Sequence, residues 1–506
     1  PVFRLEALTS DYRASGDIDT ERRAFDHAVT SAIAALTSLA GKAEGEGADM
    51  LGFQVALLED DALLGPARAL IAQGQPADAA WRKTVDAEIV GYELSDDDYF
   101  RARAADLKDM RDRVLRHLSG ADVLRAGAGV IWIAEDVPPS LFLEADWSQG
   151  GALALRGGSP TSHVALLARA RGVPMITGLG DLDLVPHDEA VVDGGTGRLV
   201  LSPDAALKAQ WAEKARAWAA RQARADAYLG RPALLRSGAP IELLINVAGP
   251  EDLDALDIGH CDGIGLMRSE FLFRDGRPLP DEDSQYRSYR RFLDWARGKP
   301  VTIRTLDIGG DKPVKGLTPE GEKNPFLGVR GTRLMLKRRD VFRAQLRALV
   351  RASAHGPLKI MLPMITVAAE FDIASALLDE VAGELGLERP PLGIMVEVPA
   401  VALVPELFAA ADFFSIGSND LTQYVMAASR DEAAVAELGD PSHPAVLRLI
   451  AEVARYGRAH GMKVSLCGDM ASDPRFVPAL IAAGLTSLSV APAAIARVKA
   501  ALAETG

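Results

Sequence analysis

Apolar positions along this chain fall into three kinds of spacing, and the kinds succeed one another instead of mingling. Between about residues 10 and 118 they recur three and four apart, as at Val29, Ile33, Leu36 and Leu39, with polar faces between them. That spacing keeps side chains on one side of an α-helix, so a helical segment is expected there. From 121 to 203 the texture changes to short apolar runs bounded by glycine and proline, at 129–134, 152–155, 174–177, 190–192 and 199–201. These predict a small α/β domain. Residues 203–229 are charged and alanine-rich with no turn signal, which predicts a connecting helix.

From 240 to 506 one theme repeats. Apolar runs at 241–247, 263–267, 301–306, 358–364, 392–396, 413–416, 464–466 and 487–490 alternate with helix-like stretches. Eight strands alternating with helices over about 270 residues match a (β/α)8 TIM barrel. An open doubly wound sheet would more often have five or six strands.

Composition narrows the field. A length of 506 residues at roughly 150 per domain suits about three domains. Hydrophobic residues at 48% and charged ones at 25% are ordinary globular usage, which excludes disordered and fibrous classes. The net charge of −14 argues against nucleic acid as a partner. Two cysteines cannot build a disulfide framework or a four-cysteine zinc site, and they suit a reducing cytosol. No apolar run reaches the ~18 residues of a membrane span, so a cytoplasmic protein without membrane insertion is expected. The start at Pro1-Val2-Phe3, without methionine, reads as a processed or truncated piece. Residues 11–118 hold 13 basic and 21 acidic side chains, or −8, either a solvated surface or a docking face for a basic partner.

Barrel chemistry collects at the carboxyl ends of the strands. Arg268 follows the second run, Arg304 lies late in the third, Glu397 ends the fifth, Asn419 and Asp420 follow the sixth, and Cys467 ends the seventh. Two acids from neighbouring strands suit Mg²⁺, which takes oxygen ligands and one or two protein carboxylates. Arginine forks suit a phosphate. The rim therefore reads as a site for a small phosphorylated acid with a divalent metal. A second candidate is GGSPTSH, 157–163, where two glycines and a capping Thr or Ser would place His163 in the first turn of a helix. Free N–H groups at a helix start favour a histidine that carries a phosphoryl group.

These segments carry a resemblance over essentially the whole chain. GGSPTSHVALLARARGVP resembles the phosphohistidine loop of the phosphoenolpyruvate-utilising enzymes, and VDGGTG at 192–197 the strand and turn that follow it. GLMRSEFLF, IRTLDIGGDKP, NPFLGVRGTR, MVEVPA, FFSIGSNDLTQY and CGDMA are similar to that superfamily's barrel signatures. The helical insertion with LLEDDALL at 57–64 and DDDYFRARAADLKDMRDRVLRHL at 96–118 looks like Enzyme I of the bacterial sugar phosphotransferase system.

The resemblance implies a swivelling phosphohistidine α/β domain at 1–9 and 119–203 with an inserted carrier-binding helical subdomain at 10–118. A helical linker at 204–239 and a phosphoenolpyruvate-binding barrel at 240–506 would follow. It makes His163 the phosphorylated residue, Arg268, Arg304, Arg330 and Arg430 the phosphoenolpyruvate-binding arginines beside Asn419, Glu397 and Asp420 the Mg²⁺ ligands with Asp420 also at the substrate, and Cys467 the proton donor to the enolate carbon. It further implies HPr or an HPr-like domain as acceptor and a homodimer through the barrel.

Departures from the pattern are Ser159 in place of a second glycine and Asp469 in place of glutamate. The family's first, glycine-containing strand would precede Pro1, and the chain stops soon after Val490, so the Enzyme I part of a fused multiphosphoryl transfer protein is also expected to fit. A fragment of pyruvate phosphate dikinase and a nitrogen-related regulatory paralogue remain alternatives.

Overall fold

The computed structural model describes residues 2–4, 12–41, 46–93, 98–120, 129–147, 150–158, 163–180, 189–253, 256–273, 278–310, 314, 316–319, 321–429 and 432–506. The chain divides into two compact units, 1–215 and 216–506.

Five helices open the first unit: α1 (Ile18–Ala40), α2 (Glu46–Leu58), α3 (Asp61–Ala72), α4 (Ala77–Glu93) and α5 (Asp98–Ser119). Local chemistry starts two of them, since Asp17 accepts from the Thr20 N–H at 2.9 Å and Asp60 from the Ala62 N–H at 2.8 Å. Each carboxylate satisfies an amide that the helix itself leaves unpaired. Phe25, Val29, Ala32 and Leu36, three and four apart on α1, are buried against Leu51, Leu64, Trp81 and Val114.

A parallel sheet follows, ordered β1 (Val2–Arg4), β2 (Ile131–Ala134), β3 (Ala152–Leu155) and β4 (Met175–Ile176), with an antiparallel pair β5 (Ala190–Asp193) and β6 (Arg198–Leu201). The short helices α6 (Pro139–Glu144) and α7 (His163–Ala170) cover it. The chain's first residues thus supply the edge strand, Val2 pairing with Ile131. Trp132, Leu153 and Leu155 share one apolar cluster with the five helices, so helical bundle and sheet are packed together. The long helix α8 (Ala205–Asp226), in which Ala225 is the buried residue, runs across the division between the units.

The second unit is a closed parallel barrel of β7 (Glu242–Val247), β8 (Ile264–Arg268), β9 (Val301–Arg304), β10 (Leu358–Leu362), β11 (Leu392–Val396), β12 (Phe413–Ile416), β13 (Lys463–Leu466) and β14 (Ser487–Val490). Each of the eight apolar runs is a strand, and closure by β14 pairing with β7 excludes the open sheet. Alternation sorts their side chains. Ile245, Ile303, Ile360, Ile394, Ile416, Leu466 and Leu488 join the large cluster with the surrounding helices. Leu266, Met361, Met395, Phe413 and Cys467 form a separate one. Gly393 is required by the filling: a Cβ there would lie 2.5 Å from the Phe413 ring. Among the described residues no helix is long and apolar enough to cross a membrane.

Candidate active site

At the carboxyl ends of the barrel strands a network of guanidinium and carboxylate groups is almost fully buried. Arg304, the last residue of β9, lies 3.0 Å from Glu270 and 3.0 Å from Asp307. Arg330 spans two acids, donating to both oxygens of Asp307 at 3.1 and 3.0 Å and to both of Asp420 at 3.0 and 3.2 Å. Burial alone would lower the pKa of both arginines, yet the neighbouring carboxylates outweigh it and hold them higher than usual. Arg268 ends β8 and has no ion-pair partner among the described residues, which leaves a fork for an anion beside the paired ones.

Glu397 follows β11 directly and is 1% exposed. One of its oxygens accepts from the Met364 N–H at 2.7 Å, and Met364 takes a left-handed φ of 57° to present that amide. Burial, then Asp420 and Asp307, push the Glu397 carboxyl up to about 8. Four carboxylates, Glu270, Asp307, Glu397 and Asp420, interact with two buried guanidiniums, Arg304 and Arg330. Fully ionised, these six groups carry a net charge of −2. Their oxygens and that deficit fit a hard divalent cation. One buried carboxyl oxygen of Glu270 and the Nε of Arg304 have no hydrogen-bond partner among the described residues, so the cluster keeps both an acceptor and a donor open. Among the described residues no group of three or more His, Cys, Asp or Glu side chains is placed to hold a metal ion.

Cys467 follows β13 and is 3% exposed. Its N–H donates to the Ile416 carbonyl at 3.0 Å, and its own carbonyl accepts from the Asn246 amide at 2.9 Å. Burial pushes the thiol up to about 11, so it is protonated at neutral pH. The next residue must be glycine, because a Cβ on Gly468 would lie 1.8 Å from the Ser418 hydroxyl. Asn419 donates to Asp469 at 3.1 Å and accepts from the Asp469 N–H at 3.0 Å, tying the start of the helix after β12 to the 3-10 turn after β13.

The structure therefore brings Arg304, Arg330, Glu397 and Asp420 into one charge network, with Cys467 within its field. Arg430 lies outside the described residues. His163 is the first residue of α7 in the other unit, and Gly158, five residues earlier, has a φ of +76°. Sequence reading missed Glu270, Asp307, Asn246 and Tyr424. Tyr424 donates to the Phe326 carbonyl at 2.6 Å and accepts from Arg330 at 3.4 Å, so it pins the loop that carries Arg330.

A closed barrel with buried arginines and acids at its rim, and a histidine opening a helix in a separate α/β unit, defines the class of phosphoenolpyruvate-utilising enzymes. The family described as PEP-utilising enzyme, PEP-binding domain matches residues 222–506, the corresponding mobile domain matches 126–197, and the N-terminal domain matches 1–103. The chain is 38% identical over 523 residues to a phosphoenolpyruvate-protein phosphotransferase of Bacillus sp. (strain S), covering 99% of this chain and 90% of that one. It is 35% identical over 515 residues to that of Bacillus subtilis (strain 168), covering 98% and 90%. A multiphosphoryl transfer protein of Rhodobacter capsulatus is 40% identical over 457 residues, 88% of this chain and 54% of that one. The chain belongs to the phosphoenolpyruvate-protein phosphotransferase family.

Proposed function

We propose that the protein is a phosphoenolpyruvate-protein phosphotransferase in which His163 receives the phosphoryl group of phosphoenolpyruvate and passes it to a histidine of HPr or an HPr-like domain, the first step of sugar uptake. The observation that carries this reading is the likeness over 99% of the chain to a relative of that name, with three family segments in the same order.

Arg268, Arg304 and Arg330, with Arg430 and Asn419, bind the phosphate and carboxylate of the substrate. Paired N–H donors already buried at the rim meet the charge that develops on the phosphoryl oxygens, with little reorganisation. Glu397 and Asp420 would hold Mg²⁺, which when bound supplies charge neutralisation for the phosphoryl and enolate oxygens. The enolate left behind requires a proton on carbon. Cys467, held as a thiol by burial, supplies it. The likeness to the multiphosphoryl transfer protein supports an HPr-type carrier, free or fused. Domain limits at 10–118, 119–203, 204–239 and 240–506, a homodimer through the barrel and a cytoplasmic location belong to the same reading.

The test is His163→Ala. That variant should form no acid-labile phosphoprotein from phosphoenolpyruvate, while substrate binding at the barrel stays within about twofold of the parent, because the two sites lie in different units. Label persisting on the variant would remove His163 from its role.

A further inference from the structure

A proton donor must approach carbon from one direction, so the peptide that carries the Cys467 thiol has to be held as firmly as the thiol itself. On the β12 side the Ile416 carbonyl accepts both the Cys467 N–H at 3.0 Å and the thiol at 3.6 Å. On the other side the strand ladder gives less support. There β13 and β14 pair through Leu466 and Leu488, one residue before Cys467 and one before Ser489.

The side chain of Asn246 closes that gap from β7. Leu243, Ile245 and Val247 join the outer core, as do Leu466, Leu488 and Val490, so alternation turns Asn246, Cys467 and Ser489 toward the barrel interior. The Asn246 amide nitrogen donates to the Cys467 carbonyl at 2.9 Å and to the Ser489 carbonyl at 3.2 Å, and its oxygen accepts from the Ser489 hydroxyl at 2.6 Å. Carbonyls only accept, so these contacts fix which way the amide faces. The backbone is shaped around the arrangement. Ile245 pairs with Ile264 and Asn246 with Leu266, which makes Gly265 the extra residue of a bulge in β8. A Cβ on Gly265 would lie 2.4 Å from the Ser489 hydroxyl oxygen, so glycine leaves the space in which Ser489 reaches Asn246.

We propose that Asn246 is a positioning residue for proton transfer, holding the carbonyl of Cys467 while Ser489 locks the Asn246 amide in place, so that the thiol meets the substrate carbon from a fixed direction. The inference rests on Cys467 being the acid that protonates the enolate. In that step the S–H bond breaks, its electron pair stays on sulfur, and a C–H bond forms on the methylene carbon. Asn246 takes no part in these bond changes. Its contacts are to backbone carbonyls and a hydroxyl, not to the arginines and carboxylates of the rim, so its loss should slow the proton step and spare phosphoryl transfer.

The experiment uses the full chain with Mg²⁺ and pyruvate in heavy water and follows deuterium entry into the methyl group by NMR, beside phosphoenolpyruvate affinity by calorimetry and phosphohistidine formation. Asn246→Ala should slow deuterium entry about tenfold, inside the ~10²-fold that a misplacement of about 1 Å can cost, and leave affinity and phosphohistidine formation unchanged. Ser489→Ala, a milder change that keeps the amide but frees its oxygen, should slow entry less and spare the same two quantities. In a Cys467→Ala background neither substitution should slow the residual entry further, because a residue that acts through the thiol has nothing left to position. Parental entry in Asn246→Ala would overturn the proposal. So would equal losses of entry and affinity, or an undiminished effect of Asn246→Ala in the Cys467→Ala background, both marks of a packing defect. Full entry in Cys467→Ala alone would remove Cys467 as the acid and the proposal with it, whereas loss there with none in Asn246→Ala would remove the positioning role alone.

Discussion

Glu397 is the residue at which charge and burial meet at the proposed metal site. Its carboxyl, pushed up to about 8 by burial and then by Asp420 and Asp307, holds a proton in the folded protein that it would release at its ordinary 4.5 when unfolded. Folded protein therefore binds more protons than unfolded between those values, and stability of the metal-free chain falls as pH rises through that window. In EDTA, melting temperature should drop between about pH 6 and 8.5, and Glu397→Gln should flatten the drop. Mn²⁺ binding measured over the same range should tighten with pH and level off near 8, as metal displaces the proton. A pH-independent affinity would take Glu397 out of the ligand set. The strand-end reading finds Arg268, Arg304, Glu397 and Cys467 because each ends or directly follows a barrel strand. It has no grip on Glu270, in a 3-10 turn, or on Asp307, three residues beyond β9. Asn246 escapes for another reason. It sits inside an apolar strand where a polar residue looks like noise, yet it donates to the Cys467 and Ser489 carbonyls at 2.9 and 3.2 Å.

Between elements, the contact with most at stake in the first unit is that of α5 with α6. Arg113, 2% exposed, donates to the Ser140 hydroxyl at 2.8 Å and pairs with Glu144 at 2.6 Å. Asp109 accepts from the same hydroxyl at 2.7 Å and from Gln54 of α2 at 3.2 Å. Removing one member would leave a buried charge without its partner. Arg113→Ala should cost about 3–5 kcal/mol, read as an earlier unfolding transition in denaturant, and leave phosphoenolpyruvate affinity at the barrel unchanged. A loss below about 1 kcal/mol would mean that water replaces the guanidinium. The sequence shows α1 and α5 by their period, but not that the bundle and the sheet share one apolar cluster. Periodicity tells which face of an element is apolar and is silent on what covers it. In the barrel all eight strands were legible, because buried parallel strands read as continuous apolar runs.

At the scale of the whole chain, phosphoryl transfer sets a requirement that neither unit meets alone. His163 belongs to the first unit and the arginine–carboxylate rim to the second, and the exposed helix α8 carries the chain from one to the other. In the proposed function one imidazole receives a phosphoryl group from a substrate held at the rim and then presents it to the histidine of a carrier protein. In-line transfer needs its reacting atoms within about 3–3.5 Å in each half-reaction, and a rigid placement that meets this for a small ligand inside a barrel mouth obstructs a protein acceptor. The two units should therefore change their relation during the cycle, with pivots at the glycine-, proline- and serine-bearing stretches near 202–203 and 230–238. A bifunctional reagent that joins the units reversibly should preserve one half-reaction and lose the other, and cleaving the link should restore both. The readouts are label transfer from phosphoenolpyruvate to the protein and from phosphoprotein to HPr, measured separately. Both half-reactions running at the parental rate in the joined protein would show that a single arrangement serves the two partners, with the carrier docking beside the barrel.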